Sequence, residues 1–142
     1  MRVKDVLQRK GGDVVTIGPD ETVRTLVELL RDHRIGAVVV SDDGSGIHGI
    51  VSERDVVRQL ADSGHEVLDQ NVATIMTSEV HTCEPGDDIA ELAERMTELR
   101  IRHLPVLVDG QLSAIVSIGD VVRHRISQLT DERDQLEAYV QQ

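Results

Sequence analysis

The chain has 142 residues, 39% of them apolar, with one Tyr, no Trp, no Phe and a formal net charge of −11. Its core must be built from Val, Ile, Leu, Ala and Met, and it has neither the positive field nor the aromatic platforms that nucleic-acid binding uses. The acidity also repels anionic lipid, no apolar run approaches the length of a bilayer span, and residues 1–10 lack a signal peptide's apolar centre.

The expected setting is therefore cytoplasmic, with no nucleic-acid or membrane partner. The single Cys83, read as a small strand-end residue, agrees with a reducing compartment.

Val3, Val6 and Leu7 predict a short leader helix, ended by Gly11-Gly12 before a strand from Val14 to Ile17. Pro19 to Thr22 turns the chain. Val23, Leu26, Val27 and Leu30 recur at helical spacing, predicting a helix from Thr22 to His33 that Arg34 and Gly36 end. Gly36 to Ser41 reads as a buried strand, Asp42 to Gly46 as a turn whose glycines supply positive φ, and Ile47 to Ser52 as the hairpin partner. A helix using Val56, Val57 and Leu60 follows and stops at Ser63-Gly64, leaving 65–71 as a linker.

The pattern then recurs. Val72, Ile75 and Met76 repeat the leader, Val80 to Cys83 repeats the first strand, and Pro85 stands for Pro19. Asp88, with Glu91 three residues on, caps a helix whose face is Ile89, Leu92, Ala93, Met96 and Leu99. Leu104 to Val108, the turn Asp109-Gly110, and Leu112 to Ser117 form the second hairpin. The fold class expected is α/β (α+β), from two repeats of helix, strand, helix, strand, strand, helix. Repeats of this size bury too little alone, so they are expected to pack face to face with pseudo-two-fold symmetry. The boundaries read as 1–64, linker 65–71, 72–127, and a helical extension over 128–142.

One stretch occurs in both repeats: Gly49-Ile-Val-Ser-Glu-Arg-Asp55 and Ala114-Ile-Val-Ser-Ile-Gly-Asp120. Each is a strand running into a helix with Ser52 or Ser117 at the turn, where free backbone N–H groups suit a phosphate. Asp55 and Asp120 stand where a carboxylate can accept both hydroxyls of a ribose. The same spacing is also that of a capping box, although Asp is shorter than the Glu or Gln such a box prefers and its reach back to the cap is expected to be poorer. Arg34, Arg54, Arg58, Arg100, Arg102 and Arg123 gather near these turns and suit phosphate, with Arg54, Arg58 and Arg123 read alternatively as solvated helix charges. The remaining histidines, His33, His48, His65, His81 and His124, lack metal-ligand spacing, so no metal is expected.

These residues resemble the tandem cystathionine beta-synthase (CBS) domain pair, or Bateman module, in its small stand-alone bacterial form. The carriers are Thr16-Ile-Gly-Pro19, Thr82-Cys-Glu-Pro85, Ile75-Met-Thr77, Arg102-His-Leu-Pro-Val106 and the two Ser-x-x-Asp turns, and they span nearly the whole chain. The resemblance implies a sensor of adenosine nucleotides. It would place one site at Thr16, Ile17, Ala37, Val38, Ser52 and Asp55. The other would use Thr82, Cys83, Arg102, His103, Leu104, Pro105, Ser117 and Asp120. Repeat one has Gly36-Ala-Val-Val39 in place of Arg102-His-Leu-Pro105, so the second site matches the family better.

The ligand expected is an adenosine nucleotide, AMP first, with ADP, ATP, NAD(H) or S-adenosylmethionine as alternatives. The function expected is non-catalytic: a regulatory module signalling energy or redox state to a partner protein that the chain does not encode. No P-loop and no paired nucleophile and base argue for an enzyme. The alternative is a ligand-free scaffold in which both serines serve only as helix caps. Val122, Ile126, Leu129, Arg133, Leu136 and Val140 follow a four-three rhythm, read either as a short coiled-coil seam in a homodimer or as a terminal helix folded on its own repeat.

Overall fold

A computed structural model of the chain describes residues 1–10 and 14–141; the expected helix stop at Gly11-Gly12 lies outside them. Helix α1 spans Val3–Lys10, strand β1 Thr16–Ile17, helix α2 Val23–His33, strands β2 Ala37–Val40 and β3 Gly49–Ser52, and helix α3 Glu53–Ser63. The second half carries helix α4 Ile89–Leu99, strands β4 His103–Val108 and β5 Gln111–Ser117, and helix α5 Ile118–Val140.

Caps fix the helix ends. Thr22 Oγ1 accepts from Thr25 N at the start of α2, and Asp88 accepts from Ala90 N and Glu91 N at the start of α4. Both helices stop on an arginine in the left-handed region, Arg34 and Arg100, each with φ of 55°. That shared strain marks the two halves as copies.

The copies are not equal. In repeat one, β1 pairs parallel to β2 and β2 antiparallel to β3. In repeat two, β4 and β5 pair antiparallel, and the expected strand Val80 to Cys83 is a single parallel bridge from Cys83 to Val106. The first strand is likewise two residues rather than four. Both are short because the apolar residues there lie beside a neighbouring strand for only one or two backbone hydrogen bonds, such as Cys83 N to Pro105 O and Leu107 N to Cys83 O. The hairpins also differ. Residues 41–48 form a loop, whereas β4 and β5 continue to a two-residue turn with positive φ at Asp109 and Gly110. Of the glycines in the first loop, Gly44 has positive φ and Gly46 does not.

Three further expectations change. The second leader is a short 3-10 turn, Val72–Thr74, rather than a helix, and residues Gly64–Asp69 are themselves a 3-10 helix with Val67 fully buried. Val57, Leu60 and Leu99, expected on core faces, are exposed. Their helices bury narrower stripes, Val56 in α3 and Ile89, Leu92 and Met96 in α4.

The leaders are exchanged between repeats. Val3 and Val6 are buried with Cys83, Ile89, Leu92, Met96 and Leu104, in the core of repeat two. Val72 and Ile75 are buried with Ile17, Val23, Leu26 and Val38, in the core of repeat one. The backbone bonds match across the pseudo-two-fold: Val3 N donates to Asp87 O and Ile89 N to Met1 O, while Val72 N donates to Glu21 O and Val23 N to Gln70 O. Each core is complete only with a segment of the other half, which is why the two pack as one body.

Candidate functional site

Both Ser-x-x-Asp turns are complete capping boxes. Ser52 N donates to Asp55 Oδ2 at 2.8 Å and Ser117 N to Asp120 Oδ2 at 2.9 Å, while the serine hydroxyls accept from Asp55 N and Asp120 N. The expectation that Asp would reach back poorly is therefore corrected. The extended backbone at the cap, with ψ of 167° at Ser52 and 160° at Ser117, brings the cap N–H within range of the shorter side chain.

The two turns differ in what surrounds them. Ser117 and Asp120 line a cleft of about 850 Å³, within the range of small-molecule sites. Its walls come from α1 (Val6, Leu7, Arg9, Lys10), from the approach to β1 (Val14, Val15), from Arg34 to Ala37, from His103 and Ser113 to Ile115, and from Arg123 and His124. Of the expected site residues, Ala37, His103, Ser117 and Asp120 meet there, one from the first set and three from the second.

The others lie elsewhere. Ile17 and Val38 are buried in the first core, and Cys83 and Leu104 in the second. Pro105 is buried in β4 opposite Ile115, Arg102 is exposed, and the half-buried Thr82 gives its carbonyl to Arg95. Thr16 pairs with Val39. Ser52 and Asp55 stand at the start of α3, outside the cleft. A shallower groove near them is lined by Val27, Leu30, Arg34, Glu53 and Val57 but by neither residue of the turn.

Asp120 is the centre of the cleft, 7% exposed. Lys10 Nζ donates to its Oδ2 at 2.8 Å and to Ile115 O at 2.8 Å, and Arg123 donates to its Oδ1 at 2.7 Å. Burial opposes ionisation, but the Lys10 ammonium and the Ser117 donors outweigh it and hold the carboxyl below its ordinary range. Burial pushes the His103 imidazole down, the Lys10 charge adds to that, and Asp120 and Glu53 oppose it. A β-carbon on Gly36 would lie 3.4 Å from Glu53 Oε1 and 3.6 Å from His103 Cε1, ordinary contact distances that mark this position as a meeting point of the two repeats at the cleft. His124 is 6% exposed, its Nε2 meets the Met1 sulfur, and its Nδ1 has no hydrogen-bond partner among the described residues.

The described lining residues carry four cations, Arg9, Lys10, Arg34 and Arg123, and one carboxylate, Asp120; Lys10 and Arg123 bond that carboxylate, while Arg9 donates to Ser127 Oγ. An acidic protein has therefore built one cationic cleft with an apolar floor of Val6, Leu7, Val14, Val15, Ala37 and Ala114. Such a cleft suits a flat apolar group carrying anionic oxygens. Sequence reasoning missed Lys10 and Arg9, which reach the cleft only because the leader crosses to the other repeat. The basic last turn of an amphipathic helix in a chain of net charge −11 was the available signal.

Among the described residues no group of His, Cys, Asp and Glu is arranged to hold a metal, and no helix is long and apolar enough to cross a membrane.

The family model described as CBS domain matches residues 3–62 and 72–127. The CBS domain-containing protein CBSX3, mitochondrial, of Arabidopsis thaliana is 35% identical, over 98% of this chain and 71% of its own length. The crystal structure of the CBS-domain containing protein ATU1752 from Agrobacterium tumefaciens is 46% identical, with a TM-score of 0.85 over 88% of this chain and 99% of that one. The CBS domain pair of protein MJ0100, in complex with 5'-methylthioadenosine and S-adenosyl-L-methionine, shares the fold at 22% identity, with a TM-score of 0.80 over 90% of this chain and 98% of that one.

Proposed function

The chain belongs to the CBS-domain family, and from that premise we propose that it is a non-catalytic regulatory module that binds an adenosine nucleotide in the Asp120 cleft and passes its occupancy to a partner protein. The observation that carries this reading is the pairing of one buried carboxylate with four cations over an apolar floor. Asp120 takes the ribose hydroxyls, the apolar floor takes adenine, and Lys10, Arg9, Arg34 and Arg123 take the phosphates. The complex of MJ0100 supports the ligand class, since that protein of the same fold holds adenosine compounds. The excess of cations favours AMP, ADP, ATP or NAD(H) over neutral or cationic adenosine derivatives. Ser52 and Asp55, with Thr16, Ile17 and Val38, are left to a weaker second site in this reading, since Ala37 belongs to the Asp120 cleft, and the cytoplasm is its setting.

A ligand must displace Lys10 from Asp120, so binding frees the end of α1 and gives the module two states of unequal affinity. The test is thermal unfolding with adenosine, AMP, ATP and S-adenosylmethionine. A ligand at about 100 times its Kd adds about 2.7 kcal/mol to stability. Phosphorylated ligands should raise Tm by several degrees, and Asp120→Ala should abolish the rise.

One observation favours a scaffold instead. Asp120 and both serines already have their hydrogen bonds satisfied within the chain. In that case no adenosine compound shifts Tm for the parent protein or the variant.

A further inference from the structure

The four cations of the cleft are not equally available. Lys10 Nζ is shared between Asp120 Oδ2 and Ile115 O, each at 2.8 Å, Arg123 is bound to Asp120 Oδ1 at 2.7 Å, and Arg9 donates to Ser127 Oγ at 2.8 Å. A phosphate accepted by these three is gained against bonds already made within the chain, so only the difference adds to affinity. Arg34 stands apart. It is exposed, and among the described residues its guanidinium has neither a hydrogen-bond nor an ion-pair partner.

Its backbone is also strained. Arg34 caps α2 with φ of 55° and ψ of 46°, in the left-handed region, and its N–H closes the last turn on the carbonyls of Arg31 and Leu30. Glycine is the usual residue at such a cap, because a β-carbon in this conformation crowds the following carbonyl oxygen. An arginine there is less stable than a glycine would be, and strain of this kind gathers where a side chain has work to do. The side chain stands at a lip, since Arg34 lines both the Asp120 cleft and the shallower groove between α2 and α3. Arg100 has the same φ of 55° and does not line the cleft, so the molecule carries its own control for the cap without the site.

We propose that Arg34 is the residue with which the cleft selects phosphorylated ligands, and that arginine holds this glycine-favouring position at a cost in stability. Arg34 in this role rests on the nucleotide reading of the Asp120 cleft, and it narrows the ligand class to phosphorylated adenosine compounds. Its planar fork bonds two phosphate oxygens and gives up no bond to do so. Asp120 belongs to repeat two and Arg34 to repeat one, so a ligand bonded to both bridges the repeats.

The experiment measures Tm without ligand and, by titration calorimetry, the affinities for ATP, AMP and adenosine, on the full chain and its variants. Arg34→Gly should raise Tm by a few degrees and weaken ATP about ten- to a hundredfold, with the ratio of ATP to adenosine affinity falling by about tenfold or more. Arg34→Lys keeps the charge but neither the fork nor the freedom of glycine, so Tm should stay near the parent's and part of the ATP affinity should return. Arg9→Met should weaken ATP less than Arg34→Gly does, because Arg9 already has Ser127. Arg100→Gly should raise Tm as Arg34→Gly does and leave ATP affinity as it was. An Arg34→Gly protein that binds ATP as tightly as the parent overturns the proposal while the nucleotide reading stands. Equal weakening of ATP and adenosine overturns it too, since Arg34 is then part of the frame and not the selector. A Tm that Arg34→Gly fails to raise overturns the stability cost. A parent that binds none of the three compounds overturns the nucleotide reading itself, and the role of Arg34 with it.

Discussion

Replacing Lys10 with methionine removes the ammonium while keeping most of the side chain's length. Asp120 loses its 2.8 Å ion pair but keeps Arg123, the Ser117 N–H and the cap, and Lys10 itself is 36% exposed, so water weakens what is lost. A charge-assisted bond in that setting contributes about 1 to 2 kcal/mol. The loss must depend on pH in one direction. The folded pKa of Asp120 lies below its ordinary value, so the pair's contribution is present above the unfolded carboxyl's range and disappears as pH falls through the folded value. Urea unfolding of the parent and Lys10→Met from pH 7 to pH 3 should show a constant gap down to about pH 5 that closes below about pH 4. The ligand response has the opposite sign for two ligands. Without Lys10, ATP loses one phosphate partner and should bind roughly ten- to a hundredfold more weakly, whereas adenosine no longer competes with an ammonium for Asp120 and should bind more tightly. A gap that stays constant to pH 3, or an ATP to adenosine ratio unchanged by the substitution, would refute the role given to Lys10.

Two other substitutions test the frame around the cleft. A β-carbon on Gly49 would fall 2.7 Å from both Met76 Sδ and the Thr77 carbonyl oxygen, beside the paired Ile50 and Thr77 backbones, so Gly49→Ala should lower stability by about 1 to 3 kcal/mol, read as a drop in urea midpoint. His103 has a folded pKa below its unfolded value of about 6.5, so the unfolded chain takes up its proton first and stability falls as pH drops below that point. His103→Asn should flatten this limb between pH 7 and pH 5, and an unchanged slope would assign the acid sensitivity to other groups.

Local chemistry was legible in the chain. The Asp88 cap and the Ser-x-x-Asp turns each depend on residues a few positions apart, and the structure forms all of them. The capping role of those turns was readable, and only the reach of Asp was misjudged, because the cap's extended ψ is a backbone property that residue type does not display. Contacts that span the chain were not legible. Lys10 meets Asp120 across 110 positions, and nothing at either end announces the other. Val80 to Cys83 has a strand's composition, yet only one residue lies beside β4 long enough to pair. Ala37 and His103 were assigned to different sites, and they meet in one cleft because the repeats pack against each other there.

The exchanged leaders govern the order in which this protein matures. Helix α1 is made first, but its docking surface, from Cys83 to Val121, is made last. While the first repeat emerges from the ribosome, Val3 and Val6 have no core to enter, and Val72 and Ile75 complete the first core before the leader finds its own place. The same delay applies to Lys10. The cleft can take its final charge pattern only when the oldest segment of the chain has closed onto the newest, so a chain ending before α5 lacks Asp120 and Arg123 and cannot form it.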